Sequence, residues 1–154
     1  MTVKRLGGIL AVALALGASA GIAQAAIVPG KSVAGVKLGD TQARVKAVLG
    51  APEKGSNALS YRYIRSRGLG VYFIAGKAFE ITVVRGSQAT ASHIKVGSTL
   101  DAVKRAYPKA KCRAAVVGTN AFDCALPARF GGRATETVFT VRSGRVKNIA
   151  VHFA

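Results

Sequence analysis

Acidic side chains are scarce in this sequence. It has six, Asp40, Glu53, Glu80, Asp101, Asp123 and Glu136, in 154 residues. None form a recognisable carboxylate pair, which argues against acid–base catalysis by two facing carboxyl groups. Histidine stops at His93 and His152, and cysteine at Cys112 and Cys124. With no paired His and no second Cys pair at ligand spacing, no metal site is expected. The Gly-x-Ser-x-Gly elbow, the phosphate loop and the dinucleotide fingerprint are all missing, so no cofactor is expected either. These absences favour a protein that is not an enzyme. Beyond residue 26 no apolar run is long enough to span a bilayer.

The beginning of the chain is different in character. Lys4 and Arg5 precede an apolar stretch from Ile9 to Ala20, and Ala23-Gln24-Ala25 puts small residues where a signal peptidase reads. This three-part pattern predicts a cleaved signal peptide over 1–25, and with it export to the cell envelope or beyond. A membrane anchor is the alternative, but the run is short for a span. No cysteine follows the run, so a lipid-anchored form is not expected. Removing Lys4 and Arg5 from 23 basic side chains leaves a mature charge of about +15, which favours anionic partners and salt-sensitive binding. The same charge would also serve solubility alone.

Export makes a disulfide the default for the pair Cys112 and Cys124. Gly118-Thr119-Asn120 lies midway between them as turn material, so a cross-linked hairpin or loop is predicted. A catalytic thiol is not expected, because its neighbour would oxidise it.

One stretch occurs twice. Gly39-Asp40-Thr41-Gln42-Ala43-Arg44-Val45-Lys46-Ala47-Val48-Leu49-Gly50 is echoed by Gly97-Ser98-Thr99-Leu100-Asp101-Ala102-Val103-Lys104-Arg105-Ala106-Tyr107-Pro108. Each reads as a lead-in, a Thr-capped helix and a stop at Gly50 or Pro108. The helices carry apolar stripes, Val45, Val48 and Leu49 in the first and Leu100, Val103, Ala106 and Tyr107 in the second. Strands are predicted at Leu59–Tyr63, Leu69–Ile74 and Lys77–Val84, with Arg65–Gly68 as a basic turn and Ala75-Gly76 as a tight one. Leu59, Tyr61 and Tyr63 are expected on one face, as are Phe79, Ile81 and Val83. After the second helix, Arg129–Thr135 reads as a flexible connection. Thr137–Arg142 and Arg145–Phe153 read as strands about the turn Ser143-Gly144. Aligning Gly76 with Gly144 matches Val71 with Phe139, Phe73 with Val141, Ile81 with Ile149 and Val83 with Val151. The predicted fold is therefore α+β, a tandem repeat of a helix packed on a small antiparallel sheet. Residues 26–86 form the first copy and 87–154 the second, which also carries the disulfide loop.

The Gly-x-Thr-x-x-x-Val helix followed by antiparallel strands resembles the SmpA/OmlA outer-membrane assembly lipoproteins. The tandem arrangement is similar to the beta-lactamase inhibitory protein family, two helical segments packed on antiparallel sheet with cysteine-linked hairpins like that of Cys112 and Cys124. The resemblance implies the fold. No inhibitor contact residue carries over, the first copy lacks a cysteine pair, and the lipid-anchoring Cys is absent.

If helices cover one face of each sheet, strand parity turns Arg62, Tyr72, Glu80 and Thr82 outward from the first copy. From the second it turns out Thr140, Arg142, Asn148 and His152. Arg62, Tyr72, Arg142 and His152 are the candidate binding residues, of types that dominate protein interfaces; an ordinary solvated face would show the same pattern. His93, in the lead-in where the first copy has Gly35, suits a surface or packing role. The leading function is a secreted binding protein that presents this face to a protein partner in the envelope or outside the cell. The alternative is a basic module for anionic envelope polymers or lipid headgroups. Nucleic acid is a weaker third, since no recognition motif accompanies the charge.

Overall fold

A computed structural model describes residues 26–115, 118 and 120–154. The leader expected over residues 1–25, and part of the expected turn at 118–120, lie outside the described residues. The fold is mixed α+β and mostly sheet, with two antiparallel sheets and three short helices among the described residues.

The first sheet is small. Strands β1 (Ile27–Val28), β2 (Ser32–Val33) and β3 (Val36–Lys37) pair in sequence order. Helix α1 (Gln42–Leu49) follows, with Thr41 Oγ1 accepting from the Arg44 amide at 3.2 Å. Its stripe buries Val45 and Leu49, and Gly50 ends it at φ 87°. Helix α3 (Leu100–Ala106) has a like cap at its start. Thr99 Oγ1 accepts from the Ala102 amide at 3.2 Å, and Val103 is buried.

The second sheet has seven strands in the order β4-β5-β6-β10-β9-β8-β7. They are β4 (Ser60–Tyr63), β5 (Leu69–Ile74), β6 (Lys77–Val83), β7 (Lys111–Ala114), β8 (Ala121–Phe130), β9 (Arg133–Arg142) and β10 (Arg145–Phe153). Three hairpins close on left-handed dipeptides, Ala75-Gly76, Gly131-Gly132 and Ser143-Gly144. Two successive residues at φ > 0 match the right-handed twist of the flanking strands. The halves meet where β6 pairs with β10, Thr82 opposite Ala150, Ile81 opposite Val151 and Val83 opposite Ile149.

One face of this sheet holds the core. Tyr61, Tyr63, Leu69, Val71, Phe73, Ile81, Val83, Phe139, Val141, Ile149 and Val151 are all buried there, together with Val45, Leu49 and Val103 from the helices. Tyr107, the C-cap of α3, stacks on Phe139 with ring centroids 5.4 Å apart. Tyr63 Oη donates to the Gly50 carbonyl that ends α1. The small sheet covers the same face further along. Its Gly30 amide donates to Thr137 Oγ1 at 2.7 Å, and a side chain at Gly30 would collide with Ala128.

The lead-ins of α1 and α3 are also tied to later strands, β6 and β10 respectively. The Gly39 amide donates to the Ala78 carbonyl and the Ala78 amide to the Asp40 carbonyl. The Gly97 amide donates to the Val146 carbonyl and the Val146 amide to the Ser98 carbonyl. His93 and Gly35 both take left-handed φ, 61° and 83°, at matching points of the lead-ins.

Four expectations need correction. Leu59 does not join Tyr61 and Tyr63; it is 69% exposed. Asn57 Oδ1 accepts from the Leu59 and Ser60 amides, a side-chain turn that delays the strand until Ser60. Phe79 is only partly buried, because a bulge between Tyr72 and Phe73 puts Ala78 in the core position instead. Arg65–Gly68 is not a plain turn: residues Ile64–Arg67 form helix α2, closed by Gly68 at φ 70°. Arg129–Thr135 is not a flexible connection but the tip of a hairpin of two ten-residue strands. Cys112 and Cys124 are bonded and directly opposed in β7 and β8, the cross-linked hairpin that the sequence predicts.

Two stability measurements test this account. Thr41→Ala and Thr99→Ala should each lose about 1 kcal/mol in urea unfolding, since each removes one cap acceptor. Ile149→Ala, at the buried seam, should lose about 3 kcal/mol, whereas its outward neighbour Ala150→Ser should change stability by less than about 0.5 kcal/mol.

Candidate functional site

The reverse face of the large sheet carries alternate residues of every strand. Register places Ser60, Tyr72, Glu80, His152, Glu136 and Pro127 in one row across six strands. The next row runs Arg62, Gly70, Thr82, Ala150, Val138, Ala125 and Lys111. All side-chain-bearing members of both rows are exposed or half-buried.

The four candidate residues all lie on this face, in different circumstances. Tyr72 is 49% exposed, a large aromatic held up by the middle strand of the first hairpin pair. Arg62 is exposed on the outermost strand β4. Arg142 is turned onto its own sheet. Its Nη1 donates to the carbonyls of Val141 and Phe122 and pairs with Asp123 at 3.3 Å. Such a half-exposed ion pair contributes at most about 1 kcal/mol, but it leaves Arg142 less free for a partner. His152 is half-buried, its Nδ1 lies 2.9 Å from the Phe153 carbonyl oxygen, and it stands between Glu80 and Glu136 in register. Strand parity thus brings Tyr72 and His152 into one row and leaves Arg62 and Arg142 outside it.

The sequence reading missed the acidic character of this row. Of six acidic residues in a strongly basic chain, Glu80, Asp123 and Glu136 lie on the open face. The other missed feature is at the β4 end. Glu53 Oε1 accepts from the Arg65 amide at 2.8 Å, the Ser66 amide at 2.9 Å and Ser66 Oγ at 3.0 Å. These bonds, led by the Ser66 amide, hold the Glu53 carboxyl below its usual value. Burial raises the Tyr63 phenol. No set of three or more His, Cys, Asp or Glu among the described residues is close enough to hold a metal ion.

The fold has a counterpart among solved structures. It is similar to that of a DUF4309 family protein, YjgB of Bacillus subtilis. The likeness has a TM-score of 0.54 at 17% identity and covers 81% of this chain and 88% of that one. At that identity it concerns the fold alone. No family model matches the chain, and no match was found among curated proteins. The Cys112–Cys124 disulfide is in keeping with an oxidising compartment outside the cytoplasm.

Glu53 gives a pH signature. Its folded pKa is lowered, so its stabilising effect is complete above the usual glutamate value of 4.5 and is lost as pH falls through the lower folded value. The unfolding midpoint of the wild type should exceed that of Glu53→Gln at neutral pH. The gap should close as pH drops below 4.5, as read by thermal melts across the acid range.

Proposed function

We propose that this chain is an exported, non-enzymatic binding protein of the cell envelope or extracellular space, and that it docks a protein partner on the uncovered face of its large sheet. One observation carries the reading: the β6–β10 seam merges the strands into a single seven-stranded surface, and every covering element in the core cluster packs on the other side. A sheet face backed by a close-packed core is rigid, so its side chains lose little freedom on binding. Tyr72 supplies an exposed aromatic anchor beside Glu80 in this row.

We further infer that the architecture is a tandem helix-on-sheet repeat. The duplicated caps at Thr41 and Thr99, and the duplicated ties from Gly39 to Ala78 and from Gly97 to Val146, support it. The seam register supports it as well, because residues matched between copies meet crosswise there. Export by a leader over residues 1–25 accords with the disulfide.

The mixed charge of the face favours a protein over a polyanion as its occupant. Glu80, Asp123 and Glu136 would repel an anionic polymer laid across it. Affinity capture of the oxidised mature protein from envelope and secreted fractions, at low and high salt, tests the proposal. A saturable partner should persist at high salt, and Tyr72→Ala and Glu136→Lys should each weaken its capture about tenfold. Capture untouched by both substitutions would remove the face from consideration.

A further inference from the structure

Five exposed cations gather at the β4 end of the large sheet, where the open face meets helix α2. Lys54, Arg62, Arg65, Arg67 and Arg85 are all exposed there, Arg65 and Arg67 on α2 itself and the others on the segments around it. Two adjoining clefts run between them. One, of about 600 Å³, is lined by Glu53, Lys54, Arg62, Arg65 and Ser66. The other, of about 340 Å³, runs from Arg65 past Arg67 and Arg85 to Gln88. Arg65 and Ser66 belong to both.

The backbone framework of this end is braced from two sides. Arg85 Nε donates to the Ile64 carbonyl at 2.8 Å, and Gln88 Nε2 to the Arg67 carbonyl at 2.7 Å. On the opposite flank Glu53 ties down the first turn of α2. Gly68 makes the close approach possible, since any Cβ there would strike the Arg85 carbonyl. The charges themselves are not balanced. None of the five cations forms an ion pair among the described residues. Glu53 is the one carboxylate lining either cleft, and its Oε1 already accepts three hydrogen bonds. Holding five like charges together costs free energy that a bound anion would offset. Four of the five are arginine, whose planar fork matches the oxygens of a tetrahedral oxyanion better than an ammonium does.

We propose that this double cleft binds a ligand carrying two or more phosphate groups, one in each cleft, with Arg65 between them. The double cleft adjoins the open face at Arg62, but Arg65, Arg67 and Arg85 lie off that face, so the proposal does not depend on the partner proposed there. Soluble polyphosphates and phospholipid headgroups share the required chemistry.

Among the described residues the side chains of Arg65 and Arg67 make no hydrogen bond or ion pair, so Arg65→Gln/Arg67→Gln should fold, as its melting curve will verify. Lys104→Gln/Arg105→Gln on α3 removes the same charge from an exposed remote helix. Titration calorimetry with inorganic tripolyphosphate, at roughly 150 mM salt to screen diffuse attraction, should give saturable binding by the wild type. The cleft variant should bind about tenfold more weakly and the α3 variant within about twofold of wild type. Co-sedimentation with phosphatidylglycerol vesicles, against phosphatidylcholine, then separates the sources. Vesicle binding lost in the cleft variant assigns headgroups, and tripolyphosphate binding without vesicle binding assigns a soluble ligand. Equal weakening by both variants would overturn the proposal, as would vesicle binding without tripolyphosphate binding, or no saturable binding at all.

Discussion

Strands β6 and β10 sit near the middle of the large sheet, each with hydrogen-bonded neighbours on both sides. Their pairing lets two halves, each too small to bury much apolar surface alone, share a single core. Ile81, Val83, Ile149 and Val151 meet there with no exposure. The helices depend on this seam in turn. Helices of seven or eight residues are marginal in water, and they persist because Val45, Leu49 and Val103 find an apolar surface already assembled beneath them.

The seam also decides how the surface is divided. With one side committed to the core, polar residues of alternate strand positions fall on the other. Half of the few carboxylates are found there, in Glu80, Asp123 and Glu136. The arginines around α2 are held at the β4 end by loops that follow β6 and precede β4. A chain of high net charge thereby presents two chemically distinct regions, a face of mixed charge and an arginine-rich cleft at its margin.

Local chemistry was readable from the sequence. Thr caps, a glycine stop, left-handed dipeptides at hairpin tips and period-two alternation each act within a few residues, and the strands Leu69–Ile74 and Arg145–Phe153 fall where the alternation puts them. The failures lie where a distant or competing group decides. Leu59 was misplaced because the Asn57 side chain captures its amide. α2 was hidden because its carboxylate cap, Glu53, lies eleven residues upstream of Ile64, outside any local window. The β8–β9 hairpin was hidden because Gly131-Gly132 reads equally well as slack chain or as a tight turn. The seam has no local signature at all, and the row linking Tyr72 with His152 follows only from it.

The β4 margin of the large sheet is closed. On β4, the Arg62 carbonyl accepts from the Glu53 amide and the Arg62 amide donates to Ser56 Oγ, so the loop in front of the strand occupies the bonding groups that a foreign strand would use. On β7, the covalent link to β8 keeps the last strand from being peeled away and replaced. Strand addition by another chain is thereby left to the β7 edge, and the β4 edge offers no free ladder.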